Sequence, residues 1–378
     1  MANMEITLEQ AKQNFEQGDV EHALPYVMSE ARAGKTDMMC LLASMYENGV
    51  ALTKNMAEAV KVYKLAAEKG DANAQCKMGL LFLTGNGVEK NIAEALSWLE
   101  KSTNGASGAA EYNLGCIYEI GFAVPKNLEM AVKYYKLAAE KGELQSLVQL
   151  GYMYLNGKGV TKDLQEAYGC FYTAGSQGSI EAVYNLAFMY ENGVGTDVDP
   201  ESALECYKAA AEAGNDQALF MLGEKYAIGD GVELNLELAV EFFRLAIARG
   251  NADAMNNLAL FYELGHGVEQ DLDEAFKLYK EAADAGHVKA MSNLGAMYDV
   301  GHGDTAPNYN EALKWYRLAA DAGEENAQAS LGSMYEHGRG VPADKQEAIK
   351  WYRLAADSGS LAAQSCLDGI EGKSVKSS

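Results

Sequence analysis

Leu42-Ala43-Ser44-Met45-Tyr46-Glu47-Asn48-Gly49 decides how this chain folds, because variants of the stretch return along nearly its whole length. Its small residue serves as position 0, and the same position is held by Ala43, Gly79, Gly115, Gly151, Ala187, Gly223, Ala259, Gly295 and Gly332. The spacing is 36 residues seven times and then 37. At position +3 stands an aromatic residue in all nine units, from Tyr46 and Phe82 to Tyr298 and Tyr335, and at +6 a glycine in all nine. Self-similarity at such a period marks stacked supersecondary units, each unable to bury its apolar face alone.

Each unit reads as two helices. Position +12 (+13 in the 37-residue unit) holds Asn55, Asn91, Asn127, Asp163, Asp199, Asn235, Asp271, Asn308 and Asp344. A short polar side chain there accepts the free N–H groups of a helix start. Glu58, Glu94, Glu166, Glu274, Glu311 and Glu347 follow three residues later, which predicts a reciprocal capping box. Gly70, Gly142, Gly178, Gly214, Gly250, Gly286, Gly323 and Gly359 end eight second helices in the left-handed conformation open to glycine. Both ends depart from the unit. Phe15, Gly18 and Ala23 fit the pattern with a shorter turn, and Leu361–Leu367 reads as a first helix with no second.

The motif Leu186-Ala187-Phe188-Met189-Tyr190-Glu191-Asn192-Gly193-Val194-Gly195, followed by Ala203, resembles the Sel-one-like repeat (SLR) family, a relative of the tetratricopeptide repeat (TPR). The resemblance implies an all-α fold: a right-handed α-α superhelix that acts as a non-catalytic adaptor between proteins. The expected layout is a TPR-like helix pair over residues 1–35, nine SLR units over 36–359, a capping helix over 360–368 and a disordered tail over 369–378. Three places break the pattern: Ser102-Thr103 in place of Ala-Ala, a shifted glycine in 104–108, and one extra residue in the loop Gly303–Asn310.

Composition narrows the function. Lys and Arg total 31 against 54 Asp and Glu, a net charge of −23 that disfavours nucleic acid and anionic membrane surfaces. No run of 18 apolar residues occurs, and Met1–Gln10 lacks the basic, then apolar, start of a signal peptide, so a cytoplasmic location is expected. Cys40 and Cys76 share a slot in adjacent units, as do Cys170 and Cys206, and stacked helices ~8–10 Å apart exceed a disulfide's span. With Cys116 and Cys366 they are expected as free thiols. No catalytic motif, cofactor or metal site is expected, and His266, His302 and His337 read as turn histidines. The rival function raised by the resemblance is a cell-wall-related or β-lactam hydrolase-like activity seen among SLR relatives. Capped ends suggest a monomer.

At about 100° per residue, positions −5, −1 and +3 of the first helix form the inward stripe, with −6, −3, −2, +1 and +4 opposite. In TPR-like superhelices that opposite side lines the concave groove. Position −2 carries Asn113, Gln149, Asn185, Asn257 and Asn293; position +4 carries Glu47, Glu119, Glu191, Glu263, Asp299 and Glu336. Tyr112, Tyr152, Tyr184, Phe188 and Phe220 add aromatic surface, and only Lys77 and Lys289 are basic. Amides that pair with any backbone, acids that favour Lys or Arg, and aromatic anchors predict a groove for an extended basic or mixed-charge segment of a partner protein.

Overall fold

The computed structural model describes residues 8–122, 124–303 and 305–371. Every regular element among the described residues is a helix. The chain divides into two compact units, Met1–Asp199 and Pro200–Ser378. The first holds α1 (Leu8–Glu16), α2 (Leu24–Arg32), α3 (Thr36–Asn48), α4 (Met56–Glu68), α5 (Ala72–Thr84), α6 (Ile92–Ser102), α7 (Ala109–Ile120), α8 (Leu128–Glu140), α9 (Leu144–Asn156), α10 (Leu164–Ser176) and α11 (Ile180–Asn192). The second holds α12 (Pro200–Glu212), α13 (Asp216–Ile228), α14 (Leu236–Ile247), α15 (Ala252–Leu264), α16 (Leu272–Asp284), α17 (Val288–Val300), α18 (Tyr309–Asp321), α19 (Glu325–His337), α20 (Lys345–Asp357) and α21 (Leu361–Glu371). Within each unit every helix packs on the next, first helix against second and second against the following first. No helix among the described residues is long and apolar enough to cross a membrane. The last helix continues to Glu371, so Gly369–Glu371 are helical where a tail was expected; the rest of that tail, 372–378, lies outside the described residues.

Helix ends are set as the residue pattern requires. First helices stop at glycines with positive φ, such as Gly49 at 76° and Gly157 at 65°. Side chains at the +12 slot cap the second helices: Asn55 Oδ1 accepts from the Glu58 N–H at 3.2 Å and Asp163 Oδ1 from the Glu166 N–H at 3.1 Å. The reciprocal half of the capping box is missing, for a physical reason. The backbone N–H at this slot donates instead to the carbonyl of the +3 aromatic in the preceding helix, in all nine repeats and at 2.7–3.0 Å. One bond thereby satisfies an orphan carbonyl of one helix and an orphan amide of the next. The freed glutamates turn outward to lysines one turn on, as in Glu58–Lys61 at 2.6 Å and Glu347–Lys350 at 2.9 Å.

The core lies between the two helices of each pair. Position −1 leucines and position 0 glycines or alanines of the first helix face a large buried residue at +20 of the second, such as Tyr135, Phe171, Phe243 and Tyr279. Position +2, which the expected stripe left out, is also buried, at Met45, Leu81, Ile117, Met153 and Met189. The first helix is covered from two sides, so its buried arc is wider than one stripe. All six cysteines are free thiols. Burial, with Asp71 beside it, pushes the Cys40 thiol up to about 12, and burial next to Glu166 pushes Cys170 up to about 11.

Candidate functional site

Successive first helices are joined side by side through side-chain hydrogen bonds, which makes one polar face in each unit. In the first unit Asn185 Nδ2 donates to the Tyr152 hydroxyl (2.8 Å) and to the Glu181 carbonyl (2.7 Å). The Tyr152 hydroxyl donates to Glu181 Oε1 at 3.2 Å, and Gln145 donates to its Oε2 at 3.1 Å. Asn113 Nδ2 donates to the Ala109 carbonyl at 2.7 Å. In the second unit Asn293 Nδ2 donates to Asn256 Oδ1 (3.0 Å), Asn256 to Asn257 Oδ1 (3.1 Å), and Asn257 to Glu224 Oε1 (2.6 Å). Burial holds the Glu224 carboxyl above its ordinary value, opposed by the Asn257 amide.

The asparagine row is therefore a seam between helices as well as a surface. Its amide nitrogens are spent inside the protein. Bonding to backbone carbonyls or to a side-chain acceptor fixes which end of each amide points outward. Oδ1 of Asn113, Asn185 and Asn293 faces no protein donor among the described residues. Gln149 is half-buried in the same slot.

The acidic row differs from expectation. Its members are half-buried and most are held by tyrosines of the second helix sixteen residues on. Tyr135 donates to Glu119 (2.7 Å), Tyr279 to Glu263 (2.8 Å), Tyr352 to Glu336 (2.8 Å) and Tyr63 to Glu47 (3.1 Å). Burial first, then the glutamate, holds the Tyr279 phenol well above its ordinary value, so it stays a protonated donor. Asp299 receives both oxygens' partners from Arg339, at 2.7 and 2.8 Å, and Glu47 also takes Lys77 at 2.8 Å. Lys77 is thus no free cation on this face. Glu191 is half-buried.

The residues that hold these acids were legible. The pairs Glu47/Tyr63, Glu119/Tyr135, Glu191/Tyr207, Glu263/Tyr279, Asp299/Tyr316 and Glu336/Tyr352 are acid with tyrosine, whereas Leu83/Leu99, Leu155/Phe171 and Ala227/Phe243 are apolar with apolar. The two slots change together in all nine repeats. Tyr135→Phe is accordingly expected to destabilise the protein by about 1–2 kcal/mol, since Glu119 loses its donor. Adding Glu119→Leu, the combination of the Leu155/Phe171 repeat, should restore most of it in urea unfolding.

The aromatic candidates divide likewise. Tyr112 rests on Tyr135 with ring centroids 5.8 Å apart, Tyr152 meets Phe171 edge-on at 5.3 Å, and Phe220 lies 6.0 Å from Phe243. These three roof the core with one side. Tyr184 is half-buried, and Phe188 is exposed at 45%. Position −3, expected to face outward, is buried at Cys76, Val148, Asn256 and Ser292. The reason is angular: −3 and +4 lie near 40–60° from position 0, on the flank against the second helix, while −6, +1, +5 and −2 form the outer ridge at about 100–160°. Position +5 belongs to this ridge too, beyond the five expected positions. His266 and His302 also pack: His302 stacks on Phe276 at 3.9 Å and His266 meets Phe261 edge-on at 5.9 Å. Among the described residues no cluster of three or more His, Cys, Asp or Glu side chains could hold a metal.

Charge is unevenly spread. Residues 51–150 carry 11 Lys and Arg and 11 Asp and Glu, whereas residues 151–350 carry 14 and 32. A lysine precedes the second helix at Lys54, Lys90, Lys126 and Lys162, and Val198, Leu234, Gln270, Pro307 and Ala343 replace it in the later repeats.

Helix pairs stacked in phase, with a hydrogen-bonded face of first helices, define an α-solenoid of the kind typical of protein–protein interaction scaffolds. The chain belongs to the Sel1 repeat family, whose model matches residues 36–71, 72–106, 108–143, 144–179, 180–215, 216–251, 252–287, 288–324 and 326–360. Among solved structures it is similar to a protective antigen of uropathogenic Escherichia coli strains displaying an SLR fold, with 31% identity, TM-score 0.71, and 97% of this chain and 82% of that one covered. A Sel1 repeat protein from Oxalobacter formigenes is similar at 30% identity and TM-score 0.61, covering 82% of this chain and 89% of its own. A search of curated proteins finds no match.

Proposed function

We propose that this protein is a non-catalytic adaptor whose first-helix face holds a basic or mixed-charge segment of a partner protein. The observation that carries the reading is chemical polarity. Asn185 uses both amide N–H groups internally and Asn113 and Asn293 each use one on a neighbouring oxygen, while their Oδ1 atoms are left as acceptors. The acids of the face add acceptors: Glu119 and Glu263 each use one oxygen on a tyrosine and keep the other. A face of acceptors suits a partner rich in donors, which means Lys, Arg or unpaired backbone N–H groups. Phe188 supplies an exposed anchor beside Asn185.

A photo-crosslinking residue at Phe188, compared with one at the exposed Leu65 of α4, tests the face. Cross-linked proteins identified by mass spectrometry should come from position 188 and not from 65. Capture of the same proteins at both positions would defeat the assignment.

A further inference from the structure

We infer that Ile228, Leu264 and Val300 form the docking row for a basic amphipathic helix of the partner, a refinement that rests on the first-helix face being the binding surface. These three occupy position +5 in three successive repeats of the second unit and are 73%, 52% and 74% exposed. Elsewhere the slot holds Asn48, Thr84, Asn156, Asn192 and His337, with Ile120 the one other aliphatic. Nothing in the fold requires an apolar residue there, since polar ones end the same helices at the same glycine. One turn back on the same ridge, Leu260 of α15 and Ala296 of α17 are exposed as well, which widens the row into a patch.

The surroundings specify the partner's charge. The row marks the C-terminal ends of α13, α15 and α17, where carbonyl groups leave negative partial charge. Neither α15 nor α17 has a basic residue in its last turn. Lys225 in the last turn of α13 is buried and donates to Asp230 at 2.7 Å. No Lys or Arg occurs at 226–243, 262–276 or 298–313, stretches that include Glu233, Glu263, Glu269, Asp271 and Asp273; Arg339 is brought against them and pairs with Asp299 next to Val300. An apolar row set in negative potential calls for aliphatic anchors bordered by Lys or Arg.

Spacing specifies its conformation. Packed helices lie ~8–10 Å apart. A partner helix returns to one face every seven residues, or about 10.5 Å, and so places one anchor opposite each repeat. In a β-strand, residues three apart span about 10 Å but point to opposite faces. A polyproline helix has a suitable period but docks on aromatic grooves, and this row is aliphatic.

The test uses the full chain, a fluorescein-labelled Leu/Lys peptide of about 18 residues with three heptad-spaced leucines, its Leu/Glu twin and a basic proline-rich peptide. Fluorescence anisotropy is compared for the wild type and the variant Ile228→Asn/Leu264→Asn/Val300→Asn. Asparagine is native to the slot at Asn48, Asn156 and Asn192, and a circular-dichroism melt checks the fold. The expected result is binding of the Leu/Lys peptide alone, weakened at least tenfold in the variant. No binding, equal binding to the variant, binding of either control peptide, or a dimer in light scattering that the variant abolishes would each overturn the inference. Cross-linking at Phe188 separates the two readings: if it persists while the peptide result fails, only this refinement falls.

Discussion

Lys141→Ala is expected to destabilise the protein by about 2–3 kcal/mol, somewhat less than breaking a fully buried ion pair because the lysine is a quarter exposed. The ammonium of Lys141 donates to the Thr103 carbonyl at 2.6 Å, to the Gly105 carbonyl at 2.8 Å and to Glu111. All three of its donors are used where residues 102–108 depart from the repeat, so the lysine closes a turn that the usual Ala-Ala-x-x-Gly sequence, as in Ala66–Gly70, would close itself. Glu111 is 2% exposed, in a slot that elsewhere holds Met39, Leu147, Val183, Leu219, Met255 and Met291, with uncharged Gln75 and Gln328 in the other two repeats. Without Lys141 it becomes a buried carboxylate with no counter-charge. Glu111→Leu combined with Lys141→Ala should recover most of the loss, since apolar side chains commonly replace a buried pair at no cost. Urea unfolding measures both variants, and hydrogen exchange at residues 102–112 locates the effect. A single-variant loss below about 1 kcal/mol would mean that water already solvates Glu111.

Gly151→Val is the second large effect, a destabilisation of about 3 kcal/mol by overpacking. A Cβ on Gly151 would lie 2.7–2.9 Å from three carbons of the Phe171 ring, which is fully buried and has no free space to turn into. The slot accepts a methyl in other repeats, at Ala43 and Ala259. Gly151→Ala puts the same Cβ against the ring and is expected to cost about 1–2 kcal/mol, less than valine, because the gain in helix propensity offsets part of the clash. Valine adds two further carbons beyond a Cβ that is already too close to the ring. Thermal melts of the two variants should separate; coincident midpoints would show that α9 and α10 slide apart freely.

Residues that control backbone conformation made the repeat legible. Asparagine or aspartate at +12 and glycine at +6 act within a few residues of themselves, so their meaning needs no knowledge of neighbouring helices. The site was less legible because its residues act across helices. Glu119 reads as a surface acid until Tyr135 is seen sixteen residues away, and Asn185 as a free amide until Tyr152 is placed beside it. Lys225 is the sharpest case: it occupies the +2 slot that holds Met, Leu, Ile or Phe in the other repeats, and sits over the ring of Tyr207 at 5.7 Å. Period alone also could not weigh the ridge, since +4 and +5 differ by one residue yet fall on a packed flank and an open crest.

The main-chain clasp between each +3 carbonyl and the next helix start has an evolutionary consequence. It holds even where the turn is a residue longer, with the Asn308 N–H donating to the Tyr298 carbonyl at 2.7 Å. Apart from its glycines, which the backbone needs at positive φ, a turn sealed at both ends by backbone atoms is tolerant of the side chains strung between them. Mutation can rewrite those letters, lysine-bearing in one stretch and acid-bearing in another, while the scaffold stays the same. Specificity can drift quickly on such a chassis, and a short epitope spliced into one of these turns should leave its neighbours undisturbed.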